Sequence, residues 1–306
     1  MALILSFSVS SSLSAQYARC DDPLFSTSTR QACQAAVDAA RAFQPLAGVV
    51  ISGGTELLGA SGPLGGLGHF AIGTRVNAIG AALPDPNSTS GTIASGYKGL
   101  LAAPLVVGGI GIHDRVDLLG AVLVMPTSLV SGLSVRSSAH IGSVALGLGF
   151  GARVAVLRPA LPYPSVSVTV LRRWMPTLRY SGDTTQSTAY QFSATLVAQN
   201  YRVEAGWRLG SFAVGAGLGL DHYTSDVQAS GTVGGFGFGN FDTGTFPVSG
   251  TRGLGFLTGS ARLGAFRVGA ELGYQGGKNQ TFNTSFADFD PTAGRLFAGL
   301  GVRFGL

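Results

Sequence analysis

Charged residues are scarce in this chain of 306 residues: they make up 11% of it, against about 25% in an ordinary soluble domain. Long hydrophobic runs are missing as well, because the longest apolar run, 100–112, is shorter than the roughly 20 residues that a membrane helix needs. Two explanations stay open: an unusually apolar soluble β-protein, or a closed β-barrel. Only helices and closed barrels satisfy every backbone polar group in lipid.

Residues that carry catalysis or bind metals are also few. The four histidines are scattered, and His222 follows Asp221 directly, so on a strand the two side chains point to opposite faces. The glycine-rich stretch 62–68 lacks the strand and helix that a dinucleotide site requires. We therefore expect no enzyme, no metal and no cofactor. A net charge of +5 without a basic patch does not indicate nucleic-acid binding.

The N-terminal region predicts export. Residues 2–9 form a short apolar core, and small residues lead to Ala15, which is typical of a signal peptide over 1–15. No Lys or Arg precedes the core, so the alternatives are a start inside a longer signal or an ordinary N-terminal strand. In an exported protein the two cysteines, Cys20 and Cys33, predict a disulfide; two unpaired thiols are the alternative.

One helix is expected, over residues 29–43. The stretch is rich in alanine, residues 26–29 offer N-caps, and Pro45 is expected to close its end. It belongs to an N-terminal segment, 16–65, for which two hypotheses stand: a plug inside or under a barrel, or a loose periplasmic extension.

From residue 66 onwards the chain reads as strands. Many segments alternate apolar residues with glycine or polar ones, the dyad pattern of barrel strands. The ten predicted strands are 66–83, 97–111, 115–127, 140–158, 165–180, 188–208, 212–227, 251–263, 266–279 and 293–306. The connections between them alternate between short and long, as the turns and loops of outer-membrane barrels do. The longest predicted loop is 228–250.

The number of strands is ambiguous. Residues 46–57 resemble an eleventh strand, and bacterial single-chain barrels have even numbers. Either 46–57 lies outside the wall, which leaves ten strands, or 188–208 is two strands, which makes twelve. In 188–208 the apolar face changes parity near Asn200, and a β-bulge would have the same effect. The alternation of short and long connections favours ten strands.

The last strand carries a resemblance. From Leu296 to Leu306 every even position is apolar, whereas the odd positions after Phe297 are glycine or Arg303. This segment resembles the C-terminal strand of bacterial outer-membrane β-barrels, although such strands usually end on an aromatic residue. The resemblance implies an all-β fold, a closed antiparallel transmembrane β-barrel of about ten strands over 66–306, in the outer membrane, with lipid as its partner.

With the apolar face towards lipid, a polar set faces the lumen. The predicted lumen-facing residues are Arg75, Asn77, Arg153, Arg173, Arg179, Gln191, Arg202, Glu204, Asp221, Arg267, Glu271 and Arg303. If the pore is open, the excess of arginine favours anions. The alternative is that these arginines pair with the lumen carboxylates and with Glu56, or lie at the rims.

The leading functional hypothesis is passive or facilitated passage of small solutes, anionic or apolar, across the outer membrane. A structural or adhesive barrel, with its loops contacting partners, is the alternative from another class. The sequence does not indicate an oligomeric state.

Overall fold

The fold is a closed, antiparallel ten-stranded β-barrel with one helix inside it. The computed structural model describes residues 17–59, 62–88, 91–126, 128–130, 133–136, 140–141, 144–158, 163–182, 188–234 and 239–305; the predicted signal peptide, 1–15, and Leu306 lie outside these. The helix is α1, Thr27–Ser52. The wall strands are β1 Phe70–Pro84, β2 Ser95–His113, β3 Val116–Pro126, β4 Val144–Leu157, β5 Ser165–Ser181, β6 Thr188–Leu209, β7 Phe212–Val233, β8 Gly239–Leu263, β9 Phe266–Gln275 and β10 Arg295–Gly305. The connections between wall strands contain five short described strands: Thr92–Ile93, Ser128–Val130, Leu133–Arg136, His140–Ile141 and Ser285–Phe286.

The ring closes where β1 pairs with β10, from Ala71 opposite Gly305 to Ile79 opposite Phe297. Every other wall strand pairs antiparallel with its sequence neighbours. The prediction of ten strands is confirmed. Segment 188–209 is one strand with a bulge against β5, and 46–57 contributes helix and loop but no wall strand.

The two ends of the barrel differ. Short connections join β2 to β3, β4 to β5, β6 to β7 and β8 to β9, and we call their side the turn end; the opposite side is the loop end. The predicted long loop 228–250 is wrong, because β7 runs to Val233 and β8 begins at Gly239. Ala229, Phe246 and Val248 on these extensions are buried, so the strands continue where α1 offers an apolar surface.

Helix α1 is longer than predicted. It contacts β1 and β2 on one side of the ring and β6, β7 and β8 on the other, so it lies inside the barrel. Pro45 was expected to end it, yet the helix continues to Ser52. A proline inside a helix costs about 3 kcal/mol. Burial of Leu46, Val49 and Ile51 against the wall offsets that cost.

The outer surface of the wall is apolar. Leu218 and Leu300, for example, are 72% and 66% exposed, and they belong to a large set of exposed apolar side chains on the wall strands, which a soluble monomer rarely presents. Three aromatic rings, Phe70, Phe266 and Phe304, stack in contact near the turn end, as in the aromatic girdle of a membrane barrel. Among the residues that the structure describes, no helix is both long and apolar enough to cross a bilayer.

Candidate functional site: the filled lumen

The loop half of the lumen is an apolar core around α1. Phe43 of the helix packs against Phe192 of β6, with ring centroids 5.6 Å apart, and Phe192 packs equally closely against Tyr180 of β5. The helix begins at the loop end, where Thr29 lies beside Gly239 at the start of β8. It runs towards the middle of the barrel, where the Asn77 side chain donates to the Val50 carbonyl over 2.9 Å.

Covalent and polar contacts fix the loop end of α1. The Cys20–Cys33 disulfide, which confirms the sequence prediction, ties residue 20 to the first turns of the helix. The Asp38 carboxylate accepts hydrogen bonds from the Asn283 and Thr284 amides of the last loop, at 2.9 and 2.8 Å. The Tyr17 hydroxyl also donates to Asp38. Burial raises the pKa of Tyr17 above its ordinary value, so this hydroxyl keeps its proton.

Below the helix, residues 53–59, here called the plug segment, cross the middle of the lumen. Gly53 ends α1 with a φ of 59°, a left-handed conformation that favours glycine. The Glu271 carboxylate of β9 accepts the Gly54 and Thr55 amides, each at 2.7 Å. Arg75 of β1 donates to the same carboxylate over 3.1 Å and to the Thr55 carbonyl. The barrel wall therefore holds the plug segment by its backbone.

Arg202 of β6 holds the plug segment from another side. Its guanidinium donates to the Gly53 and Gly54 carbonyls, at 2.9 and 2.8 Å, and pairs with Asp221 of β7 at 2.6 Å. Asp221 in turn accepts from Asn200 and from the Tyr223 hydroxyl, both at 2.7 Å. Each of these side chains is buried.

Two further contacts use side chains of the plug segment. The Thr55 hydroxyl donates to Glu204 of β6 over 2.9 Å. Glu56 pairs with Arg173 of β5, whose other nitrogen donates to Asn200 over 2.6 Å. The plug segment is thus bonded to β1, β5, β6 and β9, and it crosses the lumen at this level.

Nearer the turn end, a third group holds Leu64. Arg153 of β4 donates twice to the Asp117 carboxylate of β3, at 2.8 and 3.0 Å, and Asp117 also accepts the Leu64 amide at 3.1 Å. Beyond it lies a cavity of about 310 Å³, between Gly62, Pro63 and Leu64 on one side and four arginines on the other.

Most of the predicted lumen residues lie inside the ring. Eight are buried in the network around the plug segment and Asp117: Arg75, Asn77, Arg153, Arg173, Arg202, Glu204, Asp221 and Glu271. Arg267 and Arg303 line the cavity at the turn end. This placement agrees with the second alternative from the sequence: the arginines at mid-height pair with carboxylates, Glu56 included, and Arg267 and Arg303 lie at the rim without such partners.

Arg179 and Gln191 depart from the prediction. Tyr180 and Phe192, their immediate neighbours, face α1, so Arg179 and Gln191 lie on the outer face, where they bond to each other. Two causes combine. A bulge opposite Thr195 shifts the register of β5 against β6. In the loop half, moreover, the apolar face of β6 packs on α1 and does not meet lipid.

Sequence reasoning missed Asp117, Asn200, Tyr223 and Thr55 as members of the network. Asp117 lies close to a predicted turn, and Asn200 lies where the apolar face of β6 changes parity. Neither residue was therefore recognised as lumen-facing. The spacing of Asp221 and Tyr223, two residues apart on one strand and hence on one face, was a usable signal. In the described part of the chain, no group of three or more His, Cys, Asp or Glu side chains is arranged to hold a metal ion.

No protein family model matches the chain, and no curated protein sequence does. Solved structures resemble it in shape at low identity. The outer-membrane protease OmpT of Escherichia coli is 7% identical, with a TM-score of 0.39, over 78% of this chain and 95% of OmpT. The translocator domain of the autotransporter NalP of Neisseria meningitidis is 11% identical, with a TM-score of 0.43, over 91% and 99%. The Ralstonia pickettii toluene transporter TbuX is 11% identical, with a TM-score of 0.30, over 84% and 92%. At these values the likeness carries no argument about function.

Proposed function

We propose that the protein is a bacterial outer-membrane barrel through which small polar solutes pass when the plug segment moves aside. The exposed apolar wall and its aromatic rings at the turn end support a membrane location, because lipid is the solvent that such a surface prefers. A secretory signal over 1–15 and passage through the periplasm remain part of this proposal. It assigns no catalytic role.

The observation that carries the proposal is the polarity of the lumen at the level of the plug segment. A barrel of about eight strands is normally just filled by its own side chains. Here ten strands enclose a separate segment, which is bonded to the wall through charged and polar groups, with Glu271, Arg75 and Arg202 at its centre. Replacing buried ion pairs by apolar groups is often neutral or stabilising, so stability alone gives little reason to keep this lining. Passage of water and solutes through the lumen would be a reason to keep this polar lining.

The filled lumen narrows the mode of passage. Residues 53–59 are bonded to several strands across the lumen at mid-height, which favours gated passage over permanent passive flow. The wall at this level presents arginines and carboxylates side by side, which suits polar solutes better than apolar cargo. Helix α1 can stay seated, because the plug segment is joined to it through the flexible Gly53–Gly54 pair.

Conductance in planar bilayers tests the proposal. The double variant Glu56→Gln with Glu271→Gln removes two carboxylates that hold the plug segment, whereas Asp114→Asn removes an exposed carboxylate paired with Arg158 at the turn end. We expect rare openings in the unaltered protein and in Asp114→Asn, and at least about 100-fold more in the double variant, because breaking even one buried pair costs about 3 kcal/mol or more. Heat-modifiable migration on gels confirms that each variant is folded.

A structural or adhesive barrel without transport is the second candidate. The apolar packing of Phe43 of α1 on Phe192, which in turn packs on Tyr180, favours it, since this half of the lumen is an apolar core. A folded double variant that passes no current at any voltage would refute gated passage, and the structural or adhesive role would then be favoured.

A further inference from the structure

Four arginines gather at the turn end of the lumen: Arg208, Arg262, Arg267 and Arg303, here called the turn-end arginines. The sheet register places three of them in one row, since Arg262 of β8 lies opposite Arg267 of β9, and Arg267 lies opposite Arg303 of β10. Directly opposed residues have Cβ atoms about 5 Å apart, and like charges in such pairs are destabilising. Arg208 of β6 lines the same cavity.

These arginines lack the carboxylates that neutralise the arginines at mid-height. Within the described residues, no Asp or Glu lies within 4.0 Å of any of the four, whereas Arg75, Arg153, Arg173 and Arg202 each have such a partner. Their hydrogen bonds go to neutral groups: Arg267 donates to the Ser260 hydroxyl and Arg262 to the Gly264 carbonyl, both over 3.1 Å. The buried Nε of Arg303 has no partner in the described structure.

The cavity in front of them has room for a ligand. Its volume of about 310 Å³ is at the lower end of the range for small-molecule sites, roughly 300–1,000 Å³. Gly62, Pro63 and Leu64 cover it from the lumen side, and Phe70 and Phe266 border it. The guanidinium fork matches the oxygens of a phosphate group, and several arginines can share one such group.

We propose that the turn-end arginines bind a phosphate-bearing anion. An anion relieves the repulsion along the row of three and supplies an acceptor for the Arg303 Nε. Two sources have this chemistry: a free phosphate compound on the turn side, and the headgroup of an anionic phospholipid, which Phe70 and Phe266 would border at membrane level. The site needs no solute passage, so the inference is independent of the proposed function.

Calorimetry on the detergent-solubilised full chain with inorganic phosphate tests the free anion. Nanodiscs of phosphatidylglycerol or phosphatidylcholine, followed by analysis of retained lipid by native mass spectrometry, test the headgroup. Binding in either arm supports the proposal and identifies the source. The absence of saturable phosphate binding together with equal retention of both lipids overturns it.

Variants locate the site. We expect Arg267→Gln with Arg303→Gln to weaken binding about 10- to 100-fold, because one hydrogen bond to a charged group contributes about 1.5–3 kcal/mol. Arg303→Lys keeps the charge but loses the guanidinium fork, so it should weaken binding, though by less than the double variant does. Arg158→Gln removes an exposed arginine outside this group, one that pairs with Asp114, and should leave phosphate and lipid binding unchanged. Equal weakening by Arg158→Gln would show a diffuse charge effect and refute the site.

Discussion

Replacing Glu271 by glutamine should release the plug segment while the barrel stays closed. The carboxylate is fully buried and accepts two plug amides, from Gly54 and Thr55, each at 2.7 Å. Glutamine keeps the size of the side chain but turns one acceptor oxygen into an NH₂ donor. That donor then faces an amide N–H, and Arg75 loses the negative charge opposite it.

The magnitude follows from the burial of these groups. Removing one partner of a buried ion pair costs about 3–5 kcal/mol, because the remaining charge stays out of water without compensation. Each 1.4 kcal/mol is about a factor of ten in an equilibrium. The open form of the plug segment should therefore become about 100- to 4,000-fold more populated in Glu271→Gln.

Amide hydrogen exchange followed by mass spectrometry measures this directly, since the Gly54 and Thr55 amides are themselves the donors. We expect their exchange to accelerate by the same factor, while amides of β9 and β10 away from the substitution stay protected. Asp114→Asn is the matched control: it also breaks a carboxylate–arginine pair, but at the surface, where such a pair contributes about 0–1 kcal/mol. Unchanged protection of Gly54 and Thr55 in folded Glu271→Gln would refute the anchoring role of the carboxylate.

Three further predictions concern the helix and the loops. Gly48→Ala should lower the unfolding temperature on heat-modifiability gels, because a Cβ there would come within 2.3 Å of the Tyr223 ring and overpacking costs about 1–3 kcal/mol. Cys33→Ser should lower it too, by the loss of a cross-link worth roughly 3 kcal/mol, and reductant should then have no further effect. Hydrogen bonds from Lys98 hold the pKa of Asp288 below its ordinary value of 3.8, so this loop contact is stable above pH 3.8 and is lost as the pH falls through the lowered pKa. Cleavage of the loop by pepsin should rise in that acidic range, and Asp288→Asn should abolish the pH dependence of cleavage.

The wall could be predicted from the sequence because each strand carries its own local signal. A dyad alternation is read within one segment, and short turns at Gly210 and Gly264, both with positive φ, punctuate it. The disulfide follows from the spacing of two cysteines, the strand number needed the loop lengths as well, and closure of the ring was implied by the resemblance of the last strand. The alternation of short and long connections also predicted that the two ends of the barrel differ.

What fills the lumen could not be predicted in the same way. The apolar side chains Tyr190, Phe192 and Leu196 meet α1, and the dyad pattern does not distinguish a helix inside the barrel from lipid outside it. For the same reason Arg179 and Gln191 were assigned to the wrong face. The passage of the helix through Pro45 likewise depends on burial by strands that are distant in sequence.

The two halves of the lumen hold the N-terminal segment by different forces, and this decides which part can move. Around α1 much of the contact is apolar, with Phe43 packed on Phe192, so leaving the barrel would expose a large apolar area to water even though Asp38 and Gln44 also form hydrogen bonds. Around the plug segment the contacts are hydrogen bonds and ion pairs centred on Glu271, Arg75 and Arg202, and water can replace each of them. Opening should therefore start at residues 53–59 with α1 still in place, and exchange of the α1 amides should stay slow in Glu271→Gln.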